Sequence, residues 1–219
     1  MMRSKAYRGV AMEGGVARWY DARARRERDD NRGLAHRLAE DLAPGSAVLE
    51  VAPGPGYLAI DLARLGSYEI TGLDISETFV RIARENAARE AIRVDFRQGD
   101  AARMPFENDA FDLVICRAAF QNFRSPVRAL EEMRRVLKTG GKAVVIELRK
   151  DVASRVIIDH VRRFTRGLIH WLSTQLAFRL VLVRRAYSRD ELRSFVAASG
   201  LRPLDVREGP MFLELWLVK

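Results

Sequence analysis

The sequence predicts an α/β fold, a mostly parallel sheet with helices on both faces. Three observations carry that prediction. A turn dense in glycine and proline, Ala52-Pro53-Gly54-Pro55-Gly56, joins an apolar run ending at Val51 to a helically spaced stretch from Tyr57. Four more strand-like runs then alternate with helical periodicity as far as Leu148. The chain closes on two strand-like runs separated by Glu208-Gly209-Pro210. Strands alternating with helices need long crossovers, and those crossovers cover both faces of a parallel sheet.

The elements follow in order. Residues 1–15 show little periodicity and read as a tail. Helices are expected over 16–28 and 32–42. The second carries Leu34, Ala35, Leu38, Ala39 and Leu42 on one face, with Asp30 or Asn31 as its cap. Trp19 and Tyr20 stand together in the first, either packing it onto the body or roofing a ligand pocket. Strand one covers 48–51 and its helix 57–65. Strand two covers 68–73 and ends at Asp74, and Ser76 caps a helix over 77–89. Strand three covers 93–97 and strand four 111–116. Ser125 caps a helix over 126–137 with Pro126 at its first position, Lys138-Thr139-Gly140-Gly141 stops it, and strand five covers 142–148.

Residues 151–186 break the alternation. Two helices are expected there, over 153–165 and 168–184, with seven arginines against two acids. Ser188 and Glu191 form a capping box for the last helix, and 201–207 pairs with 211–218 as a hairpin. Four parts result: a tail with cap helices (1–45), a core (46–150), an inserted helical lid (151–186) and a closing helix with its strand pair (187–219).

Composition narrows the function. At 48% hydrophobic and 31% charged, the chain suits one globular domain. Cys116 is the only cysteine, which excludes an internal disulfide and a thiolate metal cluster. It lies in an apolar run and reads as a buried bystander. No metal is expected. The net charge is +9, from 38 basic and 29 acidic residues, and only five of the basic residues are lysines. The arginines are scattered and many stand beside acids. That pattern is compositional rather than the footprint of a nucleic-acid partner. No run of about 18 uncharged residues and no signal-peptide core is present, so the expected location is cytoplasmic.

In an open parallel sheet, ligands bind outside the carboxyl ends of the strands. The unusual residues fall there: Gly54 and Gly56 after strand one, Asp74 after two, Asp100 after three and 117–123 after four. Asp74 suits the two hydroxyls of a ribose. Taken singly, Asp74 could be a helix-capping residue and Asp100 a turn residue. Together they favour a nucleoside cofactor. The third glycine of a dinucleotide turn is missing where Ala59 or Ile60 stands, which counts against NAD.

The segments VLEVAPGPG, LDIS, GDAARMPFENDAFDLVICRAAFQNF and EEMRRVLKTGGKAVVIEL resemble the successive motifs of class I S-adenosylmethionine-dependent methyltransferases. The nearest group is the small-molecule enzymes that include the ubiquinone and menaquinone C-methyltransferases. The resemblance covers about residues 34–148 and the terminal strand pair. It implies a Rossmann-like, seven-stranded sheet with an antiparallel terminal strand, the cofactor S-adenosyl-L-methionine and the product S-adenosyl-L-homocysteine. It further implies that Glu50, Gly54 and Gly56 hold the methionine end, with Ala52 replacing the usual first glycine. Asp74 would bind the ribose, Ile75 would pack on the adenine, and Asp100 would accept from its amino group beside the Ala101 amide. Arg117 would begin a loop closing over the sulfonium, and Tyr20 would cover the cofactor.

Acceptor contacts are expected from Phe120, Asn122, His170 and Trp171. No motif for a general base is present: Gln121-Asn122-Phe123 stands where amino methyltransferases carry Asn-Pro-Pro-Tyr. His160, His170 and Tyr20 are candidates by residue type alone, and His36 reads as structural. The inserted helices are read first as a lid, then as a homodimer contact, then as a peripheral membrane surface. The function expected is methyl transfer to a small lipophilic or acidic molecule. The alternatives are an RNA methyltransferase and a non-catalytic cofactor-binding regulator.

Overall fold

A computed structural model describes residue 8 and residues 12–26, 28–164 and 183–219. In chain order the elements are α1 (Gly14–Arg26), α2 (Arg28–Ala39), β1 (Ala47–Val51), α3 (Tyr57–Ala63), β2 (Glu69–Asp74), α4 (Glu77–Arg89), β3 (Asp95–Gln98), β4 (Phe111–Arg117), a 3₁₀ turn (Phe120–Asn122), α5 (Pro126–Val136), β5 (Leu137–Leu148), α6 (Ser154–Phe164), α7 (Arg189–Ser199), β6 (Arg202–Glu208) and β7 (Phe212–Val218).

The seven strands form one sheet in the order β3-β2-β1-β4-β5-β7-β6. The first five pair in parallel, and β7 runs antiparallel to both β5 and β6. One face buries Leu34, Leu38, Leu58, Leu62, Val80 and Phe96, brought by α2, α3, α4 and β3. The other buries Leu130, Met133, Leu192 and Val196 from α5 and α7. The expected two-faced sheet is therefore present, with the antiparallel strand at its expected place.

Local rules hold where one side chain decides the geometry. The Ser76 hydroxyl accepts from the Phe79 amide at 3.0 Å. Ser188 and Glu191 satisfy each other's backbone amides, at 3.2 and 2.7 Å. Three expectations change. Helix α2 begins at Arg28, so Asp30 and Asn31 lie inside it rather than capping it. Ser125 makes no side-chain cap bond. Strand β5 begins at Leu137 and absorbs Lys138–Gly141 as a bulge. The pairing steps from Phe111↔Leu137 to Leu113↔Lys142, with Gly140 at φ 78°. The expected second inserted helix lies mostly at 165–182, outside the described residues, as do His170 and Trp171. No helix among the described residues is long and apolar enough to cross a membrane.

An ionic clamp fastens the N-terminal helices to the core. Arg28 donates to both Asp61 oxygens and to Glu90, the latter at 2.5 and 2.8 Å. It also lies 5.1 Å over the Tyr57 ring. Arg64 joins Glu90 at 2.6 Å. The Tyr57 hydroxyl donates to Asp21 on α1 at 2.7 Å, and Arg25 donates back to that hydroxyl. Asp61 is only 4% exposed, and Arg28 is its ion-pair partner. Arg28→Ala strands that carboxylate, and a loss of about 3 kcal/mol of stability is expected in urea denaturation.

Candidate functional site

Strand order reverses between β1 and β4, and a crevice opens at the carboxyl ends of strands on either side of such a switch. The turn after β1 lies there. Ala52 holds φ 57°, Gly54 φ 56° and Gly56 φ 80°. The two glycines serve different ends. A Cβ on Gly56 would stand 2.6 Å from Phe96 Cζ and 2.9 Å from Ala83 Cβ, so this glycine lets the turn press against α4 and β3. A Cβ on Gly54 would meet nothing closer than Phe79 at 3.9 Å and Tyr20 at 4.0 Å, so here it is the positive φ, and not a close approach, that calls for glycine.

Two buried carboxylates brace the turn. Glu50 Oε2 accepts from the Ala59 amide at 2.9 Å. Burial pushes this carboxyl up to about 7 against the pull of Arg117. Asp74 Oδ2 accepts from the Gly54 amide at 3.0 Å and Oδ1 from Ser76 at 2.9 Å. Burial pushes it to about 6, with the two backbone donors opposing. Residues just before α1 cross the β2 exit: Ser76 Oγ donates to the Met12 carbonyl at 2.6 Å, and Thr78 N donates to Glu13 at 3.1 Å.

The remaining expected residues are placed as follows. Tyr20 is 38% exposed and meets Phe79 edge-on at 5.7 Å, beside the Gly54 turn. Trp19, by contrast, is 60% exposed and does not pack the helix down. Ile75 is half-buried, and its carbonyl accepts from Gln98 at 3.3 Å. Asp100 is half-buried and accepts from Ala102 N at 2.9 Å, with Ala101 half-buried beside it. Arg117 donates to Asn31 on α2, which ties the start of the β4 exit loop to the N-terminal layer. Asn122 is half-buried, and its carbonyl accepts from Arg8 N at 2.8 Å.

Phe120 departs from expectation. It is fully buried, in an aromatic cluster with Phe123, Tyr187 and Phe195, because a ring of that size gains more from the core than from an open cleft. His160 lies half-buried on α6, which packs through Ile157 and Val161 onto Leu148 and Met211. His36 is exposed on α2.

Sequence reasoning passed over Glu147, which is the last residue but one of β5 and is 2% exposed. Its signal was available: a lone acid in the apolar run VVIEL repeats the pattern of Glu50 in VLEV. At Ala52, a non-glycine residue in the left-handed region costs about 1 kcal/mol. Ala52→Gly is therefore expected to raise stability, by up to about 1 kcal/mol less the entropy of a freer unfolded chain, in a thermal melt.

Known proteins share this layout. The family described as methyltransferase domain matches residues 49–145. The chain is 33% identical over 174 residues to a demethylmenaquinone methyltransferase of Thermus thermophilus, covering 75% of this chain and 79% of that protein. It is 40% identical over 101 residues to the demethylmenaquinone methyltransferase of Deinococcus radiodurans, where the match spans 46% of this chain and only 42% of the relative's length. A crystallised S-adenosylmethionine-dependent methyltransferase of Aquifex aeolicus superposes with a TM-score of 0.70 at 19% identity, covering 92% of this chain and 95% of the other, and supports the fold. With the glycine turn and the strand-end acids at one crevice, the chain belongs to the class I S-adenosylmethionine-dependent methyltransferases and resembles their quinone-modifying group.

Proposed function

We propose that this chain transfers a methyl group from S-adenosyl-L-methionine to a small lipophilic acceptor, a quinol of the kind named for its relatives. One observation carries the reading: the Gly54 backbone and the carboxylates of Glu50 and Asp74 converge at the β1–β4 switch point. The residues fit a nucleoside cofactor. Gly54 leaves room that a side chain would fill. Each Asp74 oxygen is shown with one backbone donor, and an ionised oxygen has a second acceptor position for a ribose hydroxyl.

When bound, S-adenosylmethionine supplies a methyl group on a sulfonium, a leaving group that needs no further activation. The chain's own task is then alignment and exclusion of water. In this reading Ala52, Gly54 and Gly56 hold the methionine end with Glu50 behind them. Asp74 takes the ribose; Ile75, Asp100 and Ala101 take the adenine; and Tyr20 covers the opening. Arg117 and Asn122, at the ends of the β4 exit loop, face the acceptor, and His170 and Trp171, proposed as acceptor contacts, lie outside the described residues. A cytoplasmic setting belongs to the same proposal.

The direct test is transfer of a labelled methyl group to short-chain demethylmenaquinol. No transfer, with S-adenosylhomocysteine still bound in calorimetry, would remove the acceptor class. Asp74→Ala is expected to weaken S-adenosylhomocysteine binding by about one to two orders of magnitude; unchanged affinity would take Asp74 out of the site.

Acidity gives a second check. Glu50 and Asp74 are raised to about 7 and about 6 in the folded chain, so between about pH 4 and those values the folded state holds protons that the unfolded state has lost. Their contribution to stability is full below about pH 4 and is lost as pH rises through 6 and 7. The urea midpoint is expected to fall between about pH 5 and about pH 8, and Glu50→Gln to flatten that slope.

A further inference from the structure

Glu147 sits one strand away from the switch point, at the carboxyl end of β5, facing the layer of α5 and α7. Its Oε1 accepts from the Phe120 amide at 2.6 Å, and the amides of Ala119 and Gln121 also favour its charged form. One residue earlier, the Ile146 carbonyl accepts from Ala118 N at 2.8 Å. These links pin the first turn beyond β4, where Ala118 is held at φ 53°. Arg117 extends from the start of that turn to Asn31, and Asn122 receives Arg8 at its end.

Two acceptor atoms at this junction, Glu147 Oε2 and Gln121 Oε1, are buried without a hydrogen-bond partner among the described residues. A carboxyl group kept only for packing would be replaced at lower cost by leucine or methionine. What an acid does here that an apolar side chain cannot is accept from the Phe120 backbone amide.

We propose that Glu147 is the positioning residue of the β4 exit loop, fixing residues 117–122 beside the transfer crevice through the Phe120 amide, next to the Ala118–Ile146 backbone bond. The proposal rests on the methyltransferase reading of that crevice. Burial pushes the Glu147 carboxyl up to about 7, so the grip changes with pH near neutrality. The other titratable groups on this face are Cys116 on β4, pushed well up by burial with Glu147 and Glu50 adding to the rise, and Tyr187, whose hydroxyl accepts from Arg8 at 3.0 Å.

Two measurements test it. In ¹⁵N-labelled wild-type protein, the Phe120 amide resonance is expected to titrate with a midpoint near about pH 7, and to lie flat in Glu147→Gln. This reading needs neither acceptor nor cofactor, so it stands even if the protein methylates nothing. With short-chain demethylmenaquinol, Glu147→Gln is expected to lower kcat by about 10- to 100-fold. S-adenosylhomocysteine affinity should stay within about threefold, and the pH dependence of kcat near neutrality should weaken, leaving the part that Glu50 and Asp74 carry. A wild-type Phe120 resonance that ignores pH would overturn the proposal. So would an unchanged kcat, or an affinity that falls as far as kcat. If Glu147→Gln does not fold, the wild-type titration decides alone.

Discussion

The Asp74 carboxylate is the constraint from which the site takes its shape. It is buried at the end of β2 and shared between the amides of Gly54 and Ser76. It therefore joins the turn after β1 to the start of α4, across two neighbouring strands. Removing a charge from water is costly, and two backbone donors offset part of that cost. The same device recurs at the other strand ends. Glu50 ends its reach at the Ala59 amide in α3, and Glu147 at the Phe120 amide beyond β4. Each acid grips a backbone donor in the element that follows a strand or its neighbour. The crevice is thus rigid through its main chain, before any ligand contributes.

A second, softer layer lies over this frame. Helix α1 is held by Asp21 to Tyr57 and Asn86, and by residues 12–14 across the β2 exit. Helix α2 is held at its start by the Arg28 clamp and contacts the β4 exit through Asn31. Tyr20 rides on α1 at the rim of the crevice. These contacts are polar and many are half-exposed, whereas the strand-end acids are enclosed. Opening of the crevice by movement of α1 would break polar contacts and the small packing of Ala17 on Phe79 and Ile82, whereas α2 stays fixed in the core by Leu34 and Leu38.

Much of this was legible in the sequence because it is local. A serine three residues from a helical amide, or a glycine turn between a strand and a helix, is decided within a few positions, and Ser76, Ser188 and Gly56 behave accordingly. What was not legible depends on distant partners. Asn31 has the composition of a cap, but Arg117, 86 positions away, claims its side chain. Phe120 reads as a loop residue until Tyr187 and Phe195 arrive from beyond the insertion. The pair Gly140-Gly141 reads as a stop, yet the same freedom of backbone lets β5 bulge and continue. Glu147 was hidden for another reason: an acid near the end of a strand reads as solvent-facing until the loop folds over it.

The chain's single thiol lies at the middle of this arrangement. Cys116 pairs with Val51 on one side and Val145 on the other, one position short of the end of β4, and is completely enclosed. Its thiol is also held neutral by burial, so it is doubly shielded from alkylating reagents. Modification can proceed only when the layer of α5, α7 and the β4 exit loop lifts from the Cys116 face of the sheet. The rate at which an alkylating agent consumes the protein is therefore a built-in clock for the opening of that layer, blind to the fraying of helices on the opposite face.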